Sequence, residues 1–371
     1  MSLLLHVIPT AFDLLAIMLC IGLLATVAWV VPRNAQNVKG LRDVLWQALA
    51  WVIAGLTVMS IVMVLLRTME MSGRAWNASF SSLPLVLLET HYGMTWFVRI
   101  AAITVLWSGW WWGVKKGIGL LFPEGKNRLS PFLYAMLLAA ACVVWSVSAS
   151  SHAADWGDFT LTEWVSWLHI MGASLWVGGL LVFVLVIRRR LRGPSDRTQA
   201  LFAICAGRLS SLAGMALAMV LTTGAYNVWR QLDHVSELWS SNYGRIILFK
   251  LMLVGVMTAI GAFSRYFTLP LLRRGEGGPL HAQRSSRLSP LRLLRRLHLS
   301  CKPGEAGAPP ARQFARGVTV EAWLALGVLV CAALLGHAMP PKKQGHTIQH
   351  TMILKSGVQE IYCPHNERWP A

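Results

Sequence analysis

The stretch WVSWLHIMGASLWVGGLLVFVLVIRRR, Trp164 to Arg190, decides the architecture. It runs from Trp164 to Ile187 without an acid, a lysine or an arginine, and then meets three arginines in a row. A helix rises about 1.5 Å per residue, so roughly 20 apolar residues cross the roughly 30 Å of bilayer hydrocarbon. Arginines clustered at one end mark that end as cytoplasmic. Working outward, comparable stretches occupy Val7–Val31, Val44–Leu66, Met94–Val114, Phe132–Ser151, Leu209–Trp229, Ile246–Leu272 and Ala322–Met339. Together they predict an all-α polytopic membrane protein with eight transmembrane helices. Composition agrees: 55% of the 371 residues are hydrophobic and 13% charged, about half the charged share of a soluble domain. An ordinary soluble enzyme is excluded. In so apolar a chain the excess of 34 Lys and Arg over 16 Asp and Glu belongs to cytoplasmic loops, so the expected partner is the lipid bilayer and not a nucleic acid.

The loops alternate in charge. Arg33, Lys39 and Arg42 follow the first span, Lys115, Lys116, Lys126 and Arg128 the third, and Arg188, Arg189, Arg190, Arg192 and Arg197 the fifth. Ten Lys or Arg lie between Arg273 and Arg316, after the seventh span. The loop after the fourth span instead holds Asp155, Asp158 and Glu163. The basic loops are expected in the cytoplasm and both termini outside. With no Lys or Arg before it, the first span reads as retained rather than cleaved. In this orientation nine of the 11 histidines fall on or near the outer face.

The two halves echo each other. His91-Tyr92-Gly93 precedes Arg99 by the same spacing as Asn242-Tyr243-Gly244 precedes Lys250. His152-Ala153 ends the fourth span as His337-Ala338 ends the eighth, and Ile21-Gly22-Leu23-Leu24 matches Val177-Gly178-Gly179-Leu180. The expectation is a tandem repeat of four helices: 1–152 is the first copy, 153–341 the second, including the basic loop 273–316, and 342–371 an outer tail. An even number of spans per copy sets the pseudo-twofold axis along the membrane normal. Gly178 and Gly179 read as close-packing residues, the run Trp107, Trp110, Trp111 and Trp112 as an interfacial belt, and Glu321 as a snorkelling side chain near the cytoplasmic interface.

Arg99 and Lys250 lie roughly 9 Å deeper than the interfacial glycine, six positions on at about 1.5 Å each. A charge at such depth is functional or paired, with Asp13 or a bound anion as candidate partner. His169 lies roughly 7 to 8 Å inside its helix. His152 closes the preceding helix on the same face, and His337 supplies an equivalent imidazole with Met339 two residues on. Imidazole and thioether suit copper, and Met selects Cu(I). The metal candidates are therefore His152, His169, His337, His91 and Met339, and the tail adds His346, His350, Cys363 and His365. His6, His234 and the cytoplasmic His281 and His298 read as solvated. Met59, Met63, Met69 and Met71 would suit a soft-metal path, although core filling is the plainer reading. No nucleotide-binding or hydrolytic motif appears in a suitable context, so no enzymatic activity is expected.

The segments LHIMGASLWVGGLL (Leu168–Leu181), NYGRIILFKLML (Asn242–Leu253) and VEAWLALGVLVCAALLGHAMPP (Val320–Pro341), with SSHAAD around His152, resemble the CopD copper-resistance membrane family. The resemblance implies an inner-membrane protein of copper homeostasis that moves or receives copper with a periplasmic CopC-like carrier. The basic loop and the tail beyond Pro341 are not part of the pattern, and Asp13 stands where the counterpart of His169 would fall. The competing reading is a redox protein holding b-type haem on two of these histidines, since a His-bearing helix with close-packing glycines also resembles haem-binding membrane bundles such as the HemJ family.

Overall fold

The computed structural model describes residues 2–32, 39–72, 80–116, 131–151, 159–191, 196–232, 234–274 and 310–338, and its regular elements are all helical. Helix α1 spans Ser2–Ala25 and continues through a wide turn at Thr26–Val30. α2 is Lys39–Ser72, α3 the short Leu83–Glu89, α4 His91–Lys116 and α5 Pro131–Ala149. α6 is Leu161–Arg190, with wide turns at Ser174–Gly178 and Phe183–Ile187. α7 is Asp196–Gln231, α8 the short Glu237–Ser240, and α9 runs from Asn242–Phe263 through a wide turn to Leu269–Arg274. α10 is Pro310–His337.

Seven of these helices, α1, α2, α5, α6, α7, α9 and α10, are long and apolar enough to cross a membrane. α4 has the length, 26 residues, but Arg99 and its tryptophans lower its hydropathy. The chain is thus an all-helical membrane protein with seven helices that qualify by length and hydropathy among the described residues.

α1 packs against α2, α5, α6 and α10 and is the most buried of the seven. Its closest crossing is with α6. A Cβ at Gly22 would lie 2.3 Å from the Gly178 carbonyl carbon, and one at Gly178 only 1.9 Å from the Met18 carbonyl oxygen. Backbone meets backbone there, the packing that small residues permit between apolar helices. Leu24, Leu45, Leu49, Ile53, Leu106, Leu133 and Phe183 fill the core on either side.

The recurring Tyr-Gly motif forms the same turn twice. Thr90 and Ser241, both extended, precede α4 and α9. The Thr90 hydroxyl accepts from Gly93 N–H at 3.1 Å, and the Ser241 hydroxyl accepts from Gly244 N–H at 2.9 Å. A Cβ on Gly93 would lie 2.1 Å from the Leu87 carbonyl oxygen, and one on Gly244 2.1 Å from that of Glu237. The glycines are needed because each short helix, α3 or α8, folds back onto the first turn of the long one.

Two expectations about side chains need correction. Trp107 and Trp110 do not form a simple interfacial belt: the Trp107 indole donates to Thr57 Oγ1 at 3.1 Å, while Trp110 and Trp46 each donate to the other's carbonyl oxygen, at 3.1 and 3.3 Å. They tie α4 to α2, and only Trp111 and Trp112 are exposed. Glu321 does not snorkel. It is buried in α10 with its carboxylate against α9, where a Cβ on Gly261 would lie 3.6 Å from Oε2.

Candidate functional site

Arg99 is buried on α4, and its guanidinium reaches across to α1 and α2. Nη2 pairs with Asp13 Oδ1 and Nε donates to Ser60 Oγ at 2.8 Å. Ser60 hands its own proton to the Leu56 carbonyl at 2.7 Å, which leaves its oxygen free to accept. A buried charge without such partners would carry a desolvation penalty of several kcal/mol, roughly. The first half therefore holds a closed ion pair with a satisfied second contact.

His169 is placed by the start of α6. Thr160 caps the helix, its hydroxyl accepting from Glu163 N–H at 3.4 Å, while the Glu163 carboxylate accepts from Phe159 N–H at 2.7 Å. This is close to a capping box, with Glu163 reaching the N–H of the residue before the cap, and it sets where the first turn begins. Ser148 at the end of α5 donates to the Glu163 carbonyl at 2.8 Å and fixes α6 to its neighbour. Two turns further in, His169 Nδ1 lies 3.1 Å from Thr223 Oγ1 of α7, and Gly224 leaves room for the ring: a Cβ there would lie 3.1 Å from His169 Cε1. The Thr223 hydroxyl proton points to the Met219 carbonyl at 2.5 Å. Thr223 therefore accepts from His169 Nδ1–H, and the Nε2 lone pair is the one presented.

Lys250 lies on α9 and is partly buried. Among the described residues no acceptor hydrogen-bonds its ammonium. The halves thus differ: Arg99 is neutralised by Asp13, whereas no carboxylate pairs with Lys250 among the described residues.

His337, the last residue of α10, lies beside α1. Its Nε2 is 2.9 Å from Thr10 Oγ1, and its ring is 5.9 Å from that of His6, centroid to centroid. His6 Nδ1 lies 3.1 Å from Glu70 Oε1, and Glu70 also binds Arg67 at 2.9 Å. The solvated reading of His6 is therefore corrected: the side chain is partly buried and engaged on two sides. Sequence reasoning missed it because its neighbours come from the far ends of α2 and α10.

His91 is exposed at the start of α4. His152, Met339, His346, His350, Cys363, His365 and most of the basic loop 273–316 lie outside the described residues. Among the described residues no group of three or more His, Cys, Asp or Glu gathers closely enough to hold a metal ion. Cys20, Cys142, Cys205 and Cys331 are free thiols.

The comparisons with known proteins agree with this membrane architecture. Residues 1–159 match the family model described as copper resistance protein D-like, N-terminal domain, and residues 203–335 match copper resistance protein D. The chain is 26% identical over 259 residues to copper transport protein CutJ of Bacillus subtilis, covering 69% of this chain and 45% of CutJ, so it spans less than half of that relative. It is 24% identical over 238 residues to copper resistance protein D of Pseudomonas syringae pv. tomato, covering 62% of this chain and 72% of that protein. It is 27% identical over 274 residues to inner membrane protein YebZ of Escherichia coli, covering 70% and 83%. No solved structure matches. Its apolar helices and these relatives make it a multi-pass protein of the bacterial inner membrane. With one copper-resistance model matched on each half, the chain belongs to the copper resistance protein D family.

Proposed function

We propose that this protein receives copper on the outer face of the inner membrane and moves it or holds it for transfer, without catalysing a reaction. The observation that carries this reading is that both halves match copper-resistance models. The imidazole donors sit on apolar helices, and neutral imidazole is a good copper ligand. In this reading His169 and His337, with His152 and Met339, are the ligand candidates, and His91 and the tail residues His346, His350, Cys363 and His365 assist capture. A periplasmic CopC-like protein delivers the ion. Lys250 positions an anionic partner or gates passage between the halves. Inward movement of a cation is favoured by the membrane potential, worth about 2.3 kcal/mol per charge per 100 mV.

The same reading makes α4 the eighth crossing. Asp13 neutralises Arg99, which removes the main obstacle to burying this helix in lipid. Four helices then repeat twice, with both termini outside. In a cysteine-free background, an impermeant thiol reagent added to whole cells is expected to label an Asp155→Cys variant and to spare Arg284→Cys. The reverse pattern would invert every outer-face assignment.

The function is tested by metal analysis and an absorption spectrum of the purified protein. Copper without a Soret band is the expected result, and a Soret band would turn the reading to haem. His169→Ala is expected to lower copper occupancy while His234→Ala, in an exposed loop, leaves it unchanged. Equal occupancy in both variants would remove His169 from the site.

A further inference from the structure

A cavity opens on one side of α7, where two wide turns meet it. The turn of α1 at Thr26–Val30 and that of α6 at Ser174–Gly178 both pack on α7. Beside them lies a space of about 830 Å³ whose walls include Trp29, Leu175, Ile204, Arg208, Leu212 and Met215. Ile204, Arg208 and Met215 recur at helical spacing and all three are exposed, so the cavity is open along one face of α7. Around a membrane helix that opening meets lipid.

Arg208 leaves α7 below the membrane surface. Its neighbour Leu209 packs at the level of Gly179 on α6, where a Cβ would lie 3.1 Å from Leu209 Cδ1. Nine residues separate Gly179 from Arg188, the first of the three arginines that end α6, a depth of roughly 13 Å. Side chains on a helix lean toward its N-terminus, and for α7 that is the arginine-bearing end. The Arg208 guanidinium follows this direction and reaches the last turn of the first helix, where Nη1 donates to the Trp29 carbonyl at 3.4 Å. Carbonyls in a last turn have no acceptor role within their own helix, so Arg208 caps α1 from the side.

This contact does not neutralise the charge. A guanidinium has five N–H donors, and Trp29 supplies a neutral oxygen to one of them. No carboxylate pairs with Arg208 among the described residues. A cation rooted in hydrocarbon is stable with its head at the interface and an anion beside it. At the ends of membrane helices that anion is the phosphodiester of a phospholipid, and basic pockets between helices hold such headgroups. The rest of the cavity suits the rest of the lipid. Met215 lies seven residues beyond Arg208, roughly 10 Å deeper along α7, and with Leu175 and Leu212 it forms an apolar wall in the direction an acyl chain takes.

We propose that the cavity between α1, α6 and α7 binds one anionic phospholipid, its phosphate held by Arg208 beside the end of α1 and one acyl chain lying against Leu175, Leu212 and Met215. An anionic headgroup is preferred to a choline one, whose own ammonium competes with the guanidinium for the phosphate. The site goes beyond the copper reading and depends only on the membrane architecture. Seated there, the lipid braces the wide turns of α1 and α6 against α7.

The test uses delipidated full-length protein in detergent, titrated with phosphatidylglycerol or phosphatidylcholine, with bound lipid counted by native mass spectrometry and the melting temperature followed in parallel. Wild type is expected to bind one phosphatidylglycerol roughly 10-fold more tightly than phosphatidylcholine and to melt higher with it. Arg208→Gln should remove that preference, while Arg190→Gln, an exposed charge at the end of α6, should keep it. Met215→Trp, which fills the cavity from an exposed position, should lose the bound lipid although Arg208 is intact. Glycerophosphate without chains should not displace the lipid. Equal affinity of wild type for the two lipids, or an equal loss in Arg190→Gln and Arg208→Gln, would reduce the effect to general attraction and overturn the site. Displacement by glycerophosphate alone would show a free-phosphate site and overturn the acyl-chain assignment. If Arg208→Gln melts lower even without lipid, Met215→Trp decides: a Met215→Trp protein that still prefers phosphatidylglycerol overturns the proposal.

Discussion

Asp13→Ala is expected to destabilise the protein by about 3–5 kcal/mol, the cost of leaving one member of a buried ion pair uncompensated. Arg99 would keep its contact to Ser60 Oγ at 2.8 Å but lose its only carboxylate among the described residues. Water has little access to the site, because both side chains are buried. The double variant Asp13→Leu with Arg99→Met is expected to recover most of the loss, since an apolar pair of similar volume avoids both desolvation penalties. Thermal or denaturant unfolding in a mild detergent measures both. If Asp13→Ala unfolds like wild type, the pair contributes nothing to the fold. If the double variant is as unstable as the single one, shape and not charge is what the site requires.

Gly178→Leu is expected to prevent α1 from seating on α6, with loss of folded protein, and Gly178→Ala to cost about 1–3 kcal/mol or more, the range for overpacking a tight core. The reason lies in the identity of the colliding atoms. The first carbon of any side chain at Gly178 would fall 1.9 Å from the Met18 carbonyl oxygen and meet the Gly22 Cα at 3.1 Å. Those are backbone atoms, and no rotamer change can move them aside. The helices must separate, and every contact α1 makes with α6 is strained at once. Gly255→Ala is the control, because nothing lies within 4 Å of a Cβ there; a change of no more than about 0.5 kcal/mol is expected. Folding yield and melting temperature distinguish the two positions. Equal tolerance would mean that α1 and α6 do not cross as closely as described.

Both predictions concern contacts between helices, and that is where the sequence was least informative. The helices themselves were legible because apolar length is a property of a single segment: about 20 residues without charge must be helical in lipid, where every backbone N–H and C=O has to be satisfied internally. The recurrence of Tyr-Gly before Arg99 and Lys250 was legible too, since capping turns are local and the hydroxyl at Thr90 or Ser241 needs only a glycine three residues on. Depth along a helix followed from counting at a fixed rise, which marked Arg99, Lys250 and His169 as unusual before any fold was known.

Which face of each helix turns toward which neighbour was decided only by the tertiary structure. A helix that is apolar all round carries no stripe to show its inward side, so rotation and register come from how the glycines and indoles of several helices fit together. Asp13 meets Arg99 across 86 residues of chain, Trp46 meets Trp110 across 64, and Thr10 meets His337 across 327. His6 illustrates the limit most sharply. Read along the chain it is one histidine near a terminus, with nothing to separate it from a solvated side chain. Only when α10 returns to the outer end of α1, and α2 brings Glu70 beside them, does it acquire a carboxylate partner at 3.1 Å and a second ring 5.9 Å away, because a side chain's neighbours are a property of several helices at once and of none of them singly.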